Sequence, residues 1–285
     1  MSRLLVLQHL ARERPGLFAK VAKERGFTVC TFRLDLGDSL PELRNGDLLL
    51  VLGGPMGIRD IGTSTYPWLV EEVDLIKEAL NRGIGLIGVC LGAQLLAYAA
   101  GGDVERLQDE VSHQPLVEIG WDNIFPQSPE DNFKLTRHLR HPFPVLHWHG
   151  DRILLPNSAE LIASSCRCKE QLFSIGPLAY GMQFHVEIDD EMVNTWISED
   201  QKFISSALGE DGQFILKQQQ KEFGHKTLDS RLEFLNTLFD LCSYTLLKLC
   251  DFNWFSNFQG KNQRIGPFLA LKKMAGPFYQ TRPCI

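Results

Sequence analysis

The sequence has no surplus of basic residues. Its 285 residues include 29 lysines and arginines against 35 aspartates and glutamates, which gives a formal net charge of −6. Neutralising nucleic-acid phosphates requires an excess of lysine and arginine, so this balance excludes a general nucleic-acid binder. The sequence also lacks a run of roughly 18 uncharged apolar residues, so we expect no membrane-spanning helix. The first apolar stretch is short and soon followed by charges, which argues against a secretory signal.

Cysteines are few and odd in number. Seven cysteines are spread over the whole chain, and this pattern does not indicate a disulfide framework. Cys166 and Cys168 lie close together, but no second Cys/His pair with ligand spacing is nearby, so we predict no metal site there. We therefore expect a soluble, cytoplasmic protein with reduced thiols.

Apolar strands alternate with helices in the first hundred residues. The predicted strands are residues 4–8, 27–34, 48–52 and 84–89, and the predicted helices are residues 15–25, 68–81 and 92–100. Continuous apolar strands separated by helices indicate βαβ units and a parallel sheet that is covered on both faces. Further short strands are predicted at 117–121, 145–148, 161–164, 171–174 and 181–185, followed by helices at 191–206 and 228–247. We predict one α/β domain over residues 1–243.

The last 42 residues differ in composition from the rest. Residues 244–285 contain six basic residues and one acidic residue, so their net charge is +5 and that of residues 1–243 is −11. The same segment holds eight aromatic residues. Such a shift marks a boundary, and we predict that residues 244–285 form a basic, aromatic C-terminal extension, to which we assign no role.

The segment Gly88-Val89-Cys90-Leu91-Gly92 lies between a predicted strand and a helix rich in small residues. It has the form G-x-nucleophile-x-G of a nucleophile elbow, in which a tight turn holds the nucleophile in a strained conformation. The N-terminus of the following helix would favour a thiolate at Cys90. A buried structural cysteine in a glycine-rich turn explains the pentapeptide equally well.

A nucleophilic cysteine needs a proton donor or base, and His185 is the best candidate of eight histidines. It ends a predicted strand, and Glu187 follows two residues later on the same side of an extended chain. Glu187 could therefore hold the imidazole in one tautomer, as in a catalytic triad. The combination favours a Cys–His–Glu site.

Glycines also follow the predicted strand at 48–52. The segment Gly53-Gly54-Pro55-Met56-Gly57 would let the backbone approach a ligand, and the N–H of Gly54 could stabilise an oxyanion. A phosphate-binding loop is the alternative. No Gly-Lys-Ser/Thr follows and no G-x-G-x-x-G is present, so a nucleotide site is not indicated.

Taken together, these segments resemble the class I glutamine amidotransferases, and most closely the stand-alone proteins similar to the amidotransferase domain of GMP synthase. The matching segments occur in the family's order and are LVLQH at 5–9, LGGPMG at 52–57, YPWL at 66–69, GVCLGAQLLA at 88–97, EIGW at 118–121, HWHGD at 147–151 and GMQFHVE at 181–187. The resemblance implies a flavodoxin-like fold, an open and mostly parallel sheet with helices on both faces. Its site is expected at the carboxyl ends of the strands.

The resemblance implies catalytic roles for three residues. Cys90 corresponds to the nucleophile, His185 to its acid/base partner and Glu187 to the carboxylate that orients His185. Val186 stands where the commonest family motif has proline, but valine adopts the same extended conformation. The implied reaction is hydrolysis of the side-chain amide of glutamine through a γ-glutamyl thioester on Cys90, which releases ammonia for an unidentified acceptor.

The resemblance also implies the residues that contact the substrate. The backbone N–H groups of Gly54 and Leu91 correspond to the oxyanion donors, and Gln94, Gly150 and Asp151 correspond to the contacts to glutamine. No metal or organic cofactor is needed for this reaction. His147 and His149 flank Trp148 and would share one face of a strand, which suits zinc, but the resemblance explains that segment without a metal.

Two other functions remain open from the sequence. The same three residues could serve a self-contained γ-glutamyl peptidase that acts on γ-glutamyl amides other than glutamine. A non-catalytic binding protein on the same fold is the second alternative. For the amidotransferase we expect a separate acceptor or synthetase subunit as partner, because no ATP-binding loop is visible. A homodimer is compatible with the sequence, and we expect neither nucleic acid nor membrane as a partner.

Overall fold

A nine-stranded sheet runs through the described part of the chain. The computed structural model describes residues 2–127, 134–139 and 142–251, with side chains to residue 243. The strands are β1 (Arg3–Gln8), β2 (Thr28–Arg33), β3 (Leu48–Val51), β4 (Gly85–Val89), β5 (Asp103–Arg106), β6 (Glu118–Pro126), β7 (Phe143–His149), β8 (Asp151–Leu154), β9 (Ala159–Ser164), β10 (Leu172–Ile175) and β11 (Ala179–Met182). The helices are α1 (Gly16–Glu24), α2 (Leu69–Arg82), α3 (Leu91–Ala99), α4 (Asp190–Glu199), α5 (Gln201–Leu208), α6 (Gly212–Phe223) and α7 (Leu228–Asp251).

The sheet has a parallel half and an antiparallel half. Its strand order is β2-β1-β3-β4-β11-β10-β9-β6-β7, and β5 pairs with β8 in a separate two-stranded sheet. In this spatial order, neighbouring strands from β2 to β11 pair in parallel, and those from β11 to β7 pair in antiparallel fashion. The order 2-1-3-4 is that of a flavodoxin-like sheet, in which ligands bind beyond the carboxyl ends of the parallel strands.

Helices cover both faces of the parallel half. Successive residues of β1 point to opposite faces, so Leu4 and Leu5 belong to two separate apolar clusters. The first cluster joins β1 and β3 to α1 and α7 and includes Phe18 and Phe234, both fully buried. The second joins the opposite face to α2 and α3 and includes Ile76. The predicted fold class, an open α/β sheet covered on both faces, is confirmed.

Several elements depart from the sequence prediction. The predicted helix over 191–206 is divided at Asp200 into α4 and α5. Helix α6 and the pair β5–β8 were not predicted, because α6 is rich in polar residues and β5 is largely exposed. The predicted strand over 181–185 is placed too late, since β11 ends at Met182 and His185 makes only an isolated bridge with Leu146.

The predicted domain boundary near residue 243 falls within α7, which continues to Asp251. Contacts divide the chain into two units, residues 1–245 and 246–285. Most of the predicted basic extension, from residue 252 onwards, lies outside the described residues, so that part of the domain assignment stays a prediction. No helix in the described ranges is long and apolar enough to cross a membrane.

Candidate active site

Cys90 occupies the turn between β4 and α3 in a strained conformation. Its φ of 51° is positive, and His113 is the only other non-glycine residue with a positive φ in the described ranges. A side chain at Gly88 would overlap the Gly92 carbonyl, and a side chain at Gly92 would overlap the Val51 carbonyl. The two glycines therefore allow the close packing that forms the elbow, as the G-x-nucleophile-x-G pattern predicts.

His185 and Glu187 form a buried hydrogen-bonded pair beside Cys90. His185 Nδ1 lies 2.7 Å from a Glu187 carboxylate oxygen, and both side chains are almost fully buried. The Trp196 ring packs against the imidazole in a T-shaped arrangement, with the ring centroids 4.8 Å apart. Burial alone would lower the pKa of His185, but the Glu187 carboxylate and a hydrogen bond with Cys90 outweigh it and raise the pKa well above its ordinary value.

Gln183 is a further polar residue at this site, and the sequence analysis missed it. Its amide nitrogen lies 3.6 Å from the sulfur of Cys90, and its amide oxygen accepts a hydrogen bond of 3.3 Å from Gln94. Gln183 is fully buried. Its spacing was the available signal, because residues two apart in an extended segment share a side and Gln183 precedes His185 by two.

Gly54 and Leu91 line the same pocket as Cys90. Within the described ranges, neither backbone N–H donates a hydrogen bond to another residue of the chain. Leu91 is the first residue of α3, where the N–H has no acceptor inside the helix. Unengaged backbone donors on residues that line the pocket of a nucleophile are what an oxyanion hole requires.

His9 fixes the loop that carries Gly54. Its Nδ1 lies 2.9 Å from the Gly53 carbonyl oxygen and its Nε2 lies 2.8 Å from a Glu72 carboxylate oxygen. Both charged side chains are completely buried. Burial lowers the pKa of His9, but the Glu72 carboxylate and the Gly53 carbonyl raise it by more, so the net shift is upward. His9 therefore positions the backbone on one side of the pocket.

The pocket around Cys90 has a volume of about 280 Å³. Gln94, Gly150 and Asp151 line it, so the structure brings these three residues to the same pocket as Cys90 and His185. The lining also includes charged and aromatic side chains that the sequence analysis did not single out: Arg12, Glu13, Arg106, Trp148, Trp196, Asp200 and Phe203. They come from segments far apart in sequence, so no local pattern could have identified them.

The turn between β7 and β8 presents Gly150 and Asp151 to the pocket. His149 Nδ1 donates to the Asp151 carbonyl, with 2.9 Å between the two atoms. The Gly150 carbonyl accepts a hydrogen bond of 3.0 Å from the Leu107 N–H. This turn is therefore held by polar contacts on both sides.

The family model described as glutamine amidotransferase class-I matches residues 17–200, which is more than half of the chain. The chain belongs to the class I glutamine amidotransferases.

Curated relatives and a solved structure agree with this assignment. The chain is 31% identical over 213 residues to the glutamine amidotransferase-like protein YfeJ of Salmonella typhimurium. This match covers 73% of this chain and 84% of that protein. It is 28% identical over 142 residues to the glutamine-hydrolysing GMP synthase of Macrococcus caseolyticus, which covers 49% of this chain and only 24% of that protein. The crystal structure of a glutamine amidotransferase from Thermotoga maritima matches with a TM-score of 0.69 and 27% identity, covering 84% of this chain and 96% of that one.

The described residues of the chain also include a cluster of residue types that bind metals. Glu118, His147 and His149 are buried, and one ligand atom from each lies within 4.8 Å of the others. Burial lowers the pKa of His147 to about 4, so its imidazole is neutral at neutral pH. Burial would raise the pKa of Glu118, but the two histidines hold it below its ordinary value.

Proposed function

We propose that the chain hydrolyses the side-chain amide of glutamine through a γ-glutamyl thioester on Cys90 and releases ammonia. The observation that carries this proposal is the hydrogen-bonded series of Cys90, at a strained elbow, with the buried pair His185 and Glu187. Glu187 occupies the Nδ1 side of the imidazole, which leaves Nε2 for the reacting atoms.

In the first half of the proposed reaction, the sulfur of Cys90 attacks the amide carbon of glutamine as a thiolate. The C–S bond forms, and the negative charge that develops on the amide oxygen is stabilised by the N–H groups of Gly54 and Leu91. His185 then donates its proton to the amide nitrogen, the C–N bond breaks and ammonia leaves. Gln183 donates towards the sulfur and would stabilise the thiolate before the attack.

In the second half, a water molecule gives a proton to His185 and attacks the thioester carbonyl. The same two N–H groups stabilise the second oxyanion, the C–S bond breaks and glutamate is released. Each step uses only side chains and backbone groups of this chain, so the proposal requires no metal and no organic cofactor.

Glutamine would bind along the Gln94 and Gly150–Asp151 side of the pocket. The lining combines two guanidinium groups, of Arg12 and Arg106, with the carboxylates of Glu13 and Asp151. Such a mixture suits a zwitterionic amino acid, because both its ammonium and its carboxylate can find an opposite charge. We infer that the γ-glutamyl moiety is recognised here.

We propose that the acceptor of the ammonia is bound by a separate polypeptide. The chain matches only about a quarter of the length of the GMP synthase from Macrococcus caseolyticus, so most of that protein has no counterpart in the matched region. Co-purification of this chain with a synthetase, together with a rise in glutamine turnover when that partner is added, would support a divided enzyme.

The direct test is release of ammonia and glutamate from glutamine by the purified chain. We expect turnover in the natural chain and in Cys30→Ala, a cysteine on β2 that does not line the pocket, and none in Cys90→Ala. Equal turnover in Cys90→Ala would contradict the proposal.

A second candidate function, a γ-glutamyl peptidase, is favoured by the aromatic side of the pocket. Trp148 contacts both Trp196 and Phe203, with ring centroids 5.6 Å and 6.3 Å apart, and all three rings line the cavity. These rings would bind an apolar group on the amide nitrogen, which glutamine lacks. If this function holds, Phe203→Ala lowers turnover of γ-glutamyl peptides and leaves turnover of glutamine unchanged.

A further inference from the structure

We propose that Glu118, His147 and His149 form a structural site for a zinc ion or a similar divalent transition-metal ion. The site lies beneath the β7–β8 turn that borders the candidate active site. It is separate from the residues of the proposed hydrolysis, and it departs from the sequence analysis, which predicted no metal.

The pairing of β6 and β7 places the three side chains on one face. Glu118 is the register partner of His149, and Gly120 is the partner of His147. Because His147 and His149 are two residues apart in a strand, their side chains point the same way, towards Glu118. One Glu118 oxygen lies 3.0 Å from His149 Nε2 and 3.7 Å from His147 Nδ1. A small adjustment would bring all three donors to the roughly 2 Å that zinc requires.

The hydrogen bonds of His149 leave a lone pair where a cation is needed. Its Nδ1 donates to the Asp151 carbonyl, so in the neutral imidazole Nε2 carries no proton. Nε2 nevertheless faces the Glu118 carboxylate at 3.0 Å, which brings two acceptors together, and the Gln171 amide, 3.4 Å from Nε2, makes its shorter bond with that carboxylate. A metal ion bound by both atoms removes this repulsion. A backbone carbonyl on the distal ring nitrogen is also the usual partner of a metal-ligating histidine.

His147 provides an independent observation. Its side chain is 1% exposed, yet neither ring nitrogen makes a well-formed hydrogen bond within the described ranges, although the Asp122 backbone lies near enough to act on the pKa of the ring. Buried polar atoms are almost always satisfied, so two nitrogens left without a proper partner in one buried side chain point to a missing ligand. Coordination of a metal by Nδ1, the nitrogen nearer Glu118, would satisfy one of these two atoms.

Glu118 is oriented by two neighbours of the kind that surrounds metal ligands. The Ser165 hydroxyl donates to one carboxylate oxygen and the Gln171 amide donates to the other. The amide oxygen of Gln171 is itself buried without a partner. Such polar support around a ligand carboxylate holds the donor in place and is typical of metal sites.

The ligand set indicates the class of metal. Two imidazoles and one carboxylate are the donors of zinc and related transition metals, whereas calcium and magnesium prefer oxygen ligands alone. A water molecule would complete four-coordination. His149 also lines the active-site pocket, which gives the ion a route of entry.

The competing explanation is a shared proton, in which His149 is protonated and forms an ion pair with Glu118. Both explanations use the same residues, so mutation alone does not separate them. Metal content does. A proton-bound cluster gives a chain without metal, and added zinc would not change its thermal unfolding midpoint.

The experiment measures zinc in the full chain purified without chelators, and zinc affinity by competition with a chromophoric chelator. We expect about one zinc per chain and a lower thermal midpoint after the zinc is removed by dialysis against a chelator. In His147→Gln and Glu118→Gln we expect zinc affinity to fall by at least about 100-fold, the upper end of the loss for an outer-shell residue. His225→Gln, an exposed histidine between α6 and α7, is the control and should bind zinc as the natural chain does.

A natural chain that contains no metal and is not stabilised by zinc would overturn the proposal. So would variants that bind zinc as tightly as the control. If either variant fails to fold, the stoichiometry, affinity and zinc-dependent midpoint of the natural chain still decide the question.

Discussion

At the scale of single residues, Glu187 controls the protonation of His185. Glu187 contributes the largest of the effects that raise the pKa of His185 above its ordinary value, in opposition to burial. The proposed mechanism needs a protonated His185 to release ammonia, so kcat/KM should fall as the pH rises through this raised pKa.

Replacing the carboxylate therefore yields the first prediction. In Glu187→Gln the pKa of His185 falls, so the alkaline limb of the pH profile of kcat/KM moves to lower pH. The value at the optimum falls by about 10²–10⁴-fold, the usual contribution of acid–base catalysis. Glu191→Gln removes an exposed carboxylate at the start of α4 and should leave the profile unchanged. An unshifted alkaline limb in Glu187→Gln would contradict the assigned role.

The second residue-scale prediction concerns His9 and stability. The folded-state pKa of His9 is raised above the roughly 6.5 of an unfolded histidine. A raised pKa contributes stability that is fully present below pH 6.5 and is lost as the pH rises through the folded value. His9→Gln should therefore destabilise the chain more at pH 6 than at pH 9, and we expect the loss at pH 6 to be about 3 kcal/mol, the usual cost of breaking a buried ion pair.

Urea unfolding of His9→Gln and the natural chain at both pH values measures this difference. Glu72 and Glu13 are the carboxylates that act on His9, and both stay in the variant. His225→Gln tests the effect of losing an exposed histidine and should give no pH-dependent loss of this size. An equal loss at pH 6 and pH 9 would show that the His9–Glu72 charge pair is not the cause.

At the scale of elements, α7 holds the segment that carries His185 and Glu187. The buried Arg231 guanidinium donates to the carbonyls of Val186 and Ile188, at 3.0 Å and 2.7 Å, and to that of Gly224 at 2.9 Å. The carbonyls of Val186 and Ile188 flank Glu187 in the chain. A helix near residue 230 thus positions a carboxylate more than forty residues earlier in sequence.

Removing this anchor yields the third prediction. Arg231→Met leaves three buried carbonyls without their donor, so we expect the free energy of unfolding to fall by about 3 kcal/mol or more. We also expect lower glutamine turnover in the fraction that stays folded, because the Glu187 segment is released. Arg25→Met is the matched control, since Arg25 makes an exposed ion pair with Asp240 of α7 and should cost at most about 1 kcal/mol. Denaturant unfolding and steady-state kinetics of both variants check the two effects.

Some elements were predictable from sequence and others were not, for physical reasons. Strands β1, β3 and β4 are continuous apolar runs because helices bury both of their faces, and such runs are visible in sequence. The break between α4 and α5 was not visible, because Asp200 is fixed there by Trp148 and Arg12 from other parts of the chain. Long-range contacts of this kind leave no local pattern.

At the scale of the whole molecule, the fold brings distant segments to one edge of the sheet. Cys90 follows β4 and His185 follows β11, and the two strands are parallel neighbours. The sequence predicted these two residues through the glycine pattern and the His-x-Glu spacing. It did not predict that Arg12, Glu13, Trp196 and Phe203 line the pocket, because only the folded chain brings these side chains together. For the same reason it did not predict that Glu118 lies close to His147 and His149.

The central claim is that Cys90 becomes acylated by a γ-glutamyl group. The most direct measurement is the mass of the intact chain after brief exposure to glutamine and acid quenching, followed by peptide mapping. The account predicts that the peptide containing Cys90 becomes heavier by one γ-glutamyl group. This species should accumulate when a slowly hydrolysed γ-glutamyl analogue replaces glutamine, and it should be absent in Cys90→Ala. A chain that releases ammonia from glutamine while Cys90 is never modified by either compound would contradict the account.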